Sequence, residues 1–263
     1  GQRYEWHDDE NGKVSCHISQ QAMIEGMLEK HNFPDISGAR SPYRSGLKID
    51  RIEHDGKDPS TKEKLVRTFQ SIMGGINWLI INTRPNVNTA YSLLIQFNSN
   101  PSQGHLEAAK YVLRYLKHTS SHGIWFKQGE NHLHGSVAIP DHLKGEDLMV
   151  FTDSNWGPQD ASKPKPNKTQ TVTMEELKSI QGFYITRMGG PLHWGVHCEK
   201  RGSKSSCFAE IKSIDEGIRA IQYLRHLMRQ LGLPDVDFPT PLLNDNQGSI
   251  DWIESGCKPT KKL

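Results

Sequence analysis

Three carboxylates, Asp153, Glu210 and Asp245, stand where the pattern of their neighbours points to chemistry. Asp153 follows the apolar run Leu148-Met149-Val150-Phe151 and leads into the polar, glycine-terminated stretch Ser154-Asn155-Trp156-Gly157. Such a β-branched and aromatic run reads as a buried strand that delivers its aspartate to a sheet edge. Pro241-Leu242-Leu243-Asn244-Asp245-Asn246 repeats the design. Glu210 lies between the two, in the expected first turn of a long helix after Ser205-Ser206. If the two strands are neighbours in a mixed sheet with that helix packed over it, the three carboxylates meet at one edge. Like charges at a few ångströms repel unless cations lie between them. Hard oxygen ligands without His or Cys favour Mg2+ or Mn2+ over zinc. Two such ions roughly 4 Å apart clamp a phosphodiester, one activating water and the other stabilising the leaving oxygen. The chemistry implied is hydrolysis of a nucleic-acid backbone. A plainer account stands beside it: Asp153 and Asp245 as strand-end turn formers, and Glu210 as a first-turn residue favoured by the helix dipole. Residue types and spacing leave both open.

The elements that must position these groups occupy the second half of the chain. Strands are expected at Gly123–Phe126 and Leu133–Ile139, the second domain beginning near Gly123. An antiparallel hairpin pairs Gly182–Thr186 with Pro191–Trp194 across a Gly189-Gly190 turn. A long helix from about Phe208 to Leu231 carries Ile211, Ile214, Ile218, Ile221, Leu224 and Leu227 as its apolar stripe and ends at Gly232. A short helix spans Gln247 to Glu254. Pro158 to Lys178, rich in Pro, Lys, Asn, Gln and Thr, has too little apolar surface for a core element and is expected to be a flexible insertion.

The first half is mainly helical. A hairpin with a Gly12 turn and a second strand around Val14 to Ile18 precedes a helix capped by Ser19, with Met23, Ile24, Met27 and Leu28 on one face. Arg40 to Asp58 reads as an extended connector. From Ser60, Leu65, Phe69, Ile72, Met73, Ile76, Leu79 and Ile80 recur at helical spacing, so this helix is largely buried; Gly74-Gly75 marks a bend or a close neighbour. Helices over Val87–Phe97 and His105–Lys117 follow.

Composition sets the bounds. With 35% hydrophobic and 24% charged residues the chain is expected to fold as a globule. No apolar run reaches the roughly 18 residues of a membrane span. The net charge of +2 announces no nucleic-acid binder, but basic clusters at Lys62–Arg67, Lys110–Lys117, Lys163–Lys168, Lys200–Lys204 and Lys258–Lys262 suit phosphate contact or plain solvation. Cys16, Cys198, Cys207 and Cys257 lie far apart, which suggests reduced, intracellular thiols rather than a disulfide framework or zinc site. The start, Gly1-Gln2-Arg3, without initiator methionine or signal peptide, reads as a piece of a longer polypeptide.

Several motifs in fixed order give a family resemblance. Thr152-Asp153-Ser154-Asn155-Trp156, Ser179-Ile180-Gln181-Gly182-Phe183-Tyr184, Gly190-Pro191-Leu192-His193-Trp194, Ser205-Ser206-Cys207-Phe208-Ala209-Glu210-Ile211 and Asn244-Asp245-Asn246-Gln247-Gly248-Ser249-Ile250 resemble the ribonuclease H domain of copia-type LTR retrotransposon Pol polyproteins. Gly75-Ile76-Asn77-Trp78-Leu79, Asn82-Thr83-Arg84-Pro85-Asn86-Val87, Asn98 to His105 and Ala108 to Lys117 resemble the segment that connects polymerase palm to ribonuclease H in those reverse transcriptases. Residues before about Asp35, with His17-Ile18-Ser19-Gln20, resemble the end of the palm.

The resemblance implies an α/β, ribonuclease H-like mixed sheet flanked by helices (123–263), preceded by a palm-like hairpin and helix (1–35) and a small helical connection or thumb-like segment (36–122). It implies a ribonuclease H that cuts the RNA strand of RNA/DNA hybrids, with Asp153, Glu210 and Asp245 as catalytic metal ligands for Mg2+ or Mn2+, two ions in all. Ser154, Asn246 and Lys204 are the nucleic-acid-binding candidates, the first two being equally turn residues, and His193 with Trp194 reads as hairpin-stabilising. The implied partners are the hybrid and the polymerase portion of the same polyprotein, with no membrane, in an intracellular setting such as retrotransposon particles. Phe208 stands where the family often has a further acidic residue, and Thr260-Lys261-Lys262-Leu263 resembles the start of the segment that brings a fourth acidic ligand. An inactive or truncated remnant that binds nucleic acid or protein is the alternative, and polymerisation by this stretch is not expected.

Overall fold

The amino-terminal hairpin forms around its glycine. β1 (Arg3–Asp8) pairs antiparallel with β2 (Val14–Ser19), Gly12 takes a φ of 73°, and the Asp9 carboxylate accepts from the Asn11 and Lys13 N–H groups at 2.8 Å. These coordinates are a computed structural model describing residues 1–33, 38–43, 58–127, 148–155, 179–199, 205–233 and 239–256. The chain divides into two units, Gly1–Trp125 and Phe126–Leu263. The expected connector over residues 44–57, the strand at Leu133–Ile139 and the insertion at 158–178 lie outside the described residues.

In the first unit, α1 (Gln21–Lys30) starts one residue later than expected, after Gln20. Ser19 is still the last residue of β2 and cannot cap it; Gln20 instead accepts from Thr83 Oγ1 at 2.7 Å. α2 (Pro59–Ile80) is capped by Asp58, has proline at its first position and buries all seven apolar residues that its periodicity selects. Gly75 serves close packing: a Cβ there would lie 2.5 Å from Met27 Cε of α1. Because the obstructing atom ends a flexible side chain and alanine gains about 1 kcal/mol of helix propensity, Gly75→Ala is expected to shift stability by less than about 1 kcal/mol in either direction. Thermal melting checks this.

After a 3-10 turn at Pro85–Val87 come α3 (Asn88–Ile95) and α4 (Gln103–His118). A reciprocal cap starts α4, with Ser102 Oγ accepting from His105 N–H and His105 Nδ1 accepting from Ser102 N–H. Phe69, Ile76, Leu79, Val112, Leu113 and Leu116 meet in one core. Arg84 is buried within this unit and donates to Thr119 O and Oγ1 and to Asn86 Oδ1; burial lowers its pKa.

β3 (Gly123–Lys127) joins the sheet of the amino-terminal hairpin, in the order β1-β2-β3. The sequence expects it at the start of the second domain. Its first residue explains the pairing: a Cβ at Gly123 would stand 2.2 Å from the Ile18 carbonyl oxygen, so only glycine lets the two strands approach there. Trp125 stacks on His17 at 4.4 Å between ring centroids.

The second unit is a mixed four-stranded sheet flanked by helices, the ribonuclease H-like arrangement. β4 (Met149–Asn155), β5 (Ile180–Arg187) and β6 (Gly190–Cys198) form an antiparallel meander; after α5 (Ser206–Gln230), β7 (Leu242–Leu243) pairs parallel to β4, and α6 (Gln247–Glu254) follows. The sheet order is β6-β5-β4-β7. Met188 and Gly189, with φ of 49° and 68°, make the β5–β6 turn. Gly190, expected in the turn, is the first residue of β6, since two residues of positive φ already match the strand twist.

α5 is capped by Ser205, whose Oγ accepts from Phe208 N–H. It ends at Gly232, where the Leu233 N–H bonds back to Met228 O. Its buried face keeps Ile214, Ile221 and Leu224 of the expected stripe but is rotated from it. Ala209, Glu210, Ser213, Ile214, Gly217, Ile221, Leu224 and Met228 are buried, whereas Ile218 and Leu227 are 39% and 38% exposed. Gly217 sets this phase: a Cβ there would lie 2.6 Å from Thr152 Cγ2 and 3.1 Å from Val150 Cγ1. A face carrying glycine comes closest to the sheet, and that rotation turns the Glu210 side inward.

Candidate metal centre

β4 and β7 run side by side and parallel, with Val150 opposite Leu242 and Phe151 opposite Leu243. Asp153 and Asp245 each follow the paired residues by two positions, which puts both at one end of the strand pair. Asp153 lies within β4, which continues to Asn155, rather than in a turn beyond it. α5 begins at Ser206, so Glu210 is in its second turn and not the first; the simple helix-dipole account of this glutamate loses force there, because that effect fades beyond the first turn.

The three carboxylates converge. Asp153, Glu210 and Asp245 each offer an oxygen within 4.8 Å of the other two; Asp153 and Asp245 are exposed and Glu210 is buried. Among the described residues no lysine, arginine or histidine forms an ion pair with any of the three. A buried carboxylate is costly without hydrogen bonds, and Glu210 obtains them from neutral donors. Its Oε1 accepts from the Ser154 N–H at 3.2 Å and its Oε2 from Asn244 Nδ2 at 2.9 Å, while Ser213 Oγ, 3.4 Å from Oε2, shares its one proton with the Glu210 backbone carbonyl at 2.8 Å.

The remaining predicted residues fall differently. Ser154 contributes its backbone to Glu210, and its own Oγ is buried without a hydrogen-bond partner. Asn246 caps α6: its Oδ1 accepts from Ser249 N–H at 3.0 Å and Ser249 Oγ at 2.9 Å. Lys204 lies outside the described residues. The His193 ring packs 5.2 Å from that of Phe183, and burial lowers its pKa. Two residues that the sequence does not single out, Asn244 and Ser213, hold Glu210. A polar residue closing an apolar strand directly before Asp245 was the available signal for Asn244.

Three carboxylates, one buried and two exposed, with no compensating cation among the described residues, could hold a metal ion.

No protein-family model matches the chain, and no solved structure does. It is 25% identical over 240 residues to the retrovirus-related Pol polyprotein from transposon TNT 1-94 of Nicotiana tabacum, covering 89% of this chain and 15% of that protein. To the retrovirus-related Pol polyprotein from transposon RE1 of Arabidopsis thaliana it is 26% identical over 236 residues, 90% of this chain and 14% of the other. The Secreted RxLR effector protein 161 of Plasmopara viticola is 25% identical over 156 residues, 59% of this chain and 90% of that protein. The chain spans about one-seventh of the length of the two polyproteins. Along nine-tenths of its own length, then, this chain is similar to a short stretch of the retrovirus-related Pol polyproteins of plant transposons.

Proposed function

We propose that the second unit is a ribonuclease H of copia-type Pol origin, which hydrolyses the RNA strand of RNA/DNA hybrids. The observation that carries this reading is the convergence of Asp153, Glu210 and Asp245 at one end of the β4–β7 pair, with no cation paired to them among the described residues. The homology to Pol polyproteins supports it. Asp153, Glu210 and Asp245 would hold the divalent ions, which when bound would supply an activated water and charge stabilisation at the scissile phosphate. The chain's own part is positional: Ser154 N–H, Asn244 and Ser213 fix Glu210, while exposed Asp153 and Asp245 meet the substrate side. A hybrid of A-like geometry is gripped through its backbone and 2′-hydroxyls, so cleavage is indifferent to sequence. Residues 1–35 then correspond to the end of a polymerase palm and 36–122 to a connection segment, and the polymerase portion of the same polyprotein is the partner.

The test is cleavage of a hybrid whose RNA strand is end-labelled, beside RNA, DNA and duplex RNA controls. Cutting of the RNA strand of the hybrid is expected in Mg2+ and Mn2+ and is lost in EDTA. A folded chain that cuts the hybrid in neither metal, or cuts all four substrates alike, contradicts the reading.

A further inference from the structure

We infer that Asn244 is a positioning residue of the carboxylate cluster, whose amide holds Glu210 in place and so sets the affinity for divalent cations. The inference rests on the reading of the cluster as a metal site.

The orientation of the Asn244 amide is fixed by its partners. Oδ1 accepts from the Asn246 N–H at 3.0 Å. Nδ2 faces three acceptors: Glu210 Oε2 at 2.9 Å, Thr152 O at 3.1 Å and Thr152 Oγ1 at 3.2 Å. Rotating the amide by 180° would set an oxygen against a carboxylate and a carbonyl, and a nitrogen against an N–H, so only the observed orientation fits; its two Nδ2 protons serve Glu210 Oε2 and Thr152, whose O and Oγ1 share one of them. One side chain therefore ties together three elements. Through Thr152 it holds β4 next to Asp153, through Glu210 it holds α5, and through its own chain it leads directly to Asp245.

The amide also does what a cation at this position would not. Lysine or arginine would satisfy Glu210 and cancel its charge, which works against binding Mg2+ or Mn2+. A neutral donor orients the carboxylate and leaves the charge for the ion. Without Asn244, Glu210 Oε2 keeps, among the described residues, only the long contact from Ser213, and the Ser154 N–H on Oε1 alone resists rotation of the carboxylate away from Asp153 and Asp245. Loss of such a supporting group around a metal site typically costs about 10- to 100-fold in metal affinity.

The experiment compares wild type, Asn244→Ala and Ser249→Ala in the full chain. Ser249 Oγ bonds Asn246 at 2.9 Å and touches none of the three carboxylates through a described hydrogen bond, so Ser249→Ala controls for local loosening. Mn2+ binding is read by calorimetry, and the Mg2+ dependence of hybrid cleavage gives a second readout. Asn244→Ala is expected to weaken Mn2+ binding about 10-fold or more and to raise the half-saturating Mg2+ similarly, with kcat at saturating Mg2+ largely recovered; Ser249→Ala leaves Mn2+ affinity at the wild-type value. Equal Mn2+ affinity in Asn244→Ala and wild type overturns the inference, as does equal weakening in both variants at matched loss of Tm. A wild-type chain that binds Mn2+ but cuts no hybrid contradicts the nuclease reading alone, and one that binds no Mn2+ at millimolar concentration overturns both.

Discussion

Asp153→Asn is expected to abolish hybrid cleavage while leaving the fold intact. Asp153 is exposed on β4 and contributes one of the three converging oxygens. Asparagine keeps its shape and replaces an anionic ligand by a neutral one. Metal-assisted charge stabilisation is worth several kcal/mol; a loss of about 4 kcal/mol corresponds to roughly 1000-fold in rate. Stability should move the other way, because removing one of three mutually repelling carboxylates relieves strain when no ion is present. In EDTA the variant therefore melts at or slightly above the wild-type temperature. Addition of Mg2+ raises the wild-type Tm by binding linkage and raises that of the variant much less. Retained Mg2+-dependent cutting by Asp153→Asn would remove Asp153 from the mechanism, and a collapsed fold would assign it a structural role instead.

Gly217→Val is expected to be the most damaging single change to the second unit. Already a Cβ at this position meets Thr152 Cγ2 at 2.6 Å and Val150 Cγ1 at 3.1 Å, both in β4 at the centre of the sheet. Overpacking a well-filled core costs about 1–3 kcal/mol. For Gly217→Ala the helix-propensity gain of about 1 kcal/mol offsets part of that. Valine adds two methyl groups against the same wall and recovers less propensity, so a loss of about 3 kcal/mol is expected by denaturant unfolding. The contrast with Gly75 is physical: there the obstruction is the tip of Met27, which can swing aside, whereas β-branched Thr152 and Val150 are stiff at χ1 and anchored in a strand. Pushing α5 off the sheet also carries Glu210 away from Asp153 and Asp245, so Gly217→Val should lose Mn2+ binding even in the fraction that stays folded. Wild-type stability and metal affinity in this variant would show that the helix does not need its close approach.

Much of the architecture was legible because it rests on local rules. The apolar period of α2 selects all seven of its buried apolar residues, and Gly232 marks the end of α5 through its positive φ. The phase of α5 was not. Counting apolar residues favours a stripe through Ile218 and Leu227, and both are partly exposed; hydropathy rewards bulk, while the closest packing against the sheet was set by the smallest residue, Gly217. The membership of β3 escaped for a related reason. A strand's sequence shows that it pairs, and the partner was decided by the close approach of Gly123 to Ile18.

For the site, the sequence by itself singled out Asp153, Glu210 and Asp245 and the elements that carry them, because an apolar strand must end in something polar and a strand-end aspartate is visible without coordinates. The expectation of Mg2+ or Mn2+ also comes from the sequence, since oxygen ligands without His or Cys favour hard ions. Only the tertiary structure decided that the three oxygens lie within 4.8 Å of one another, because that depends on β7 lying parallel beside β4 and on the rotation of α5. It alone revealed the neutral donors Asn244 and Ser213, the first of which meets Glu210 and Thr152 across 34 and 92 residues of chain. A hydrogen bond between Asn244 and Glu210, 34 residues apart, leaves no periodic trace in a sequence; it exists because packing a glycine against a sheet brings a glutamate under the end of a strand.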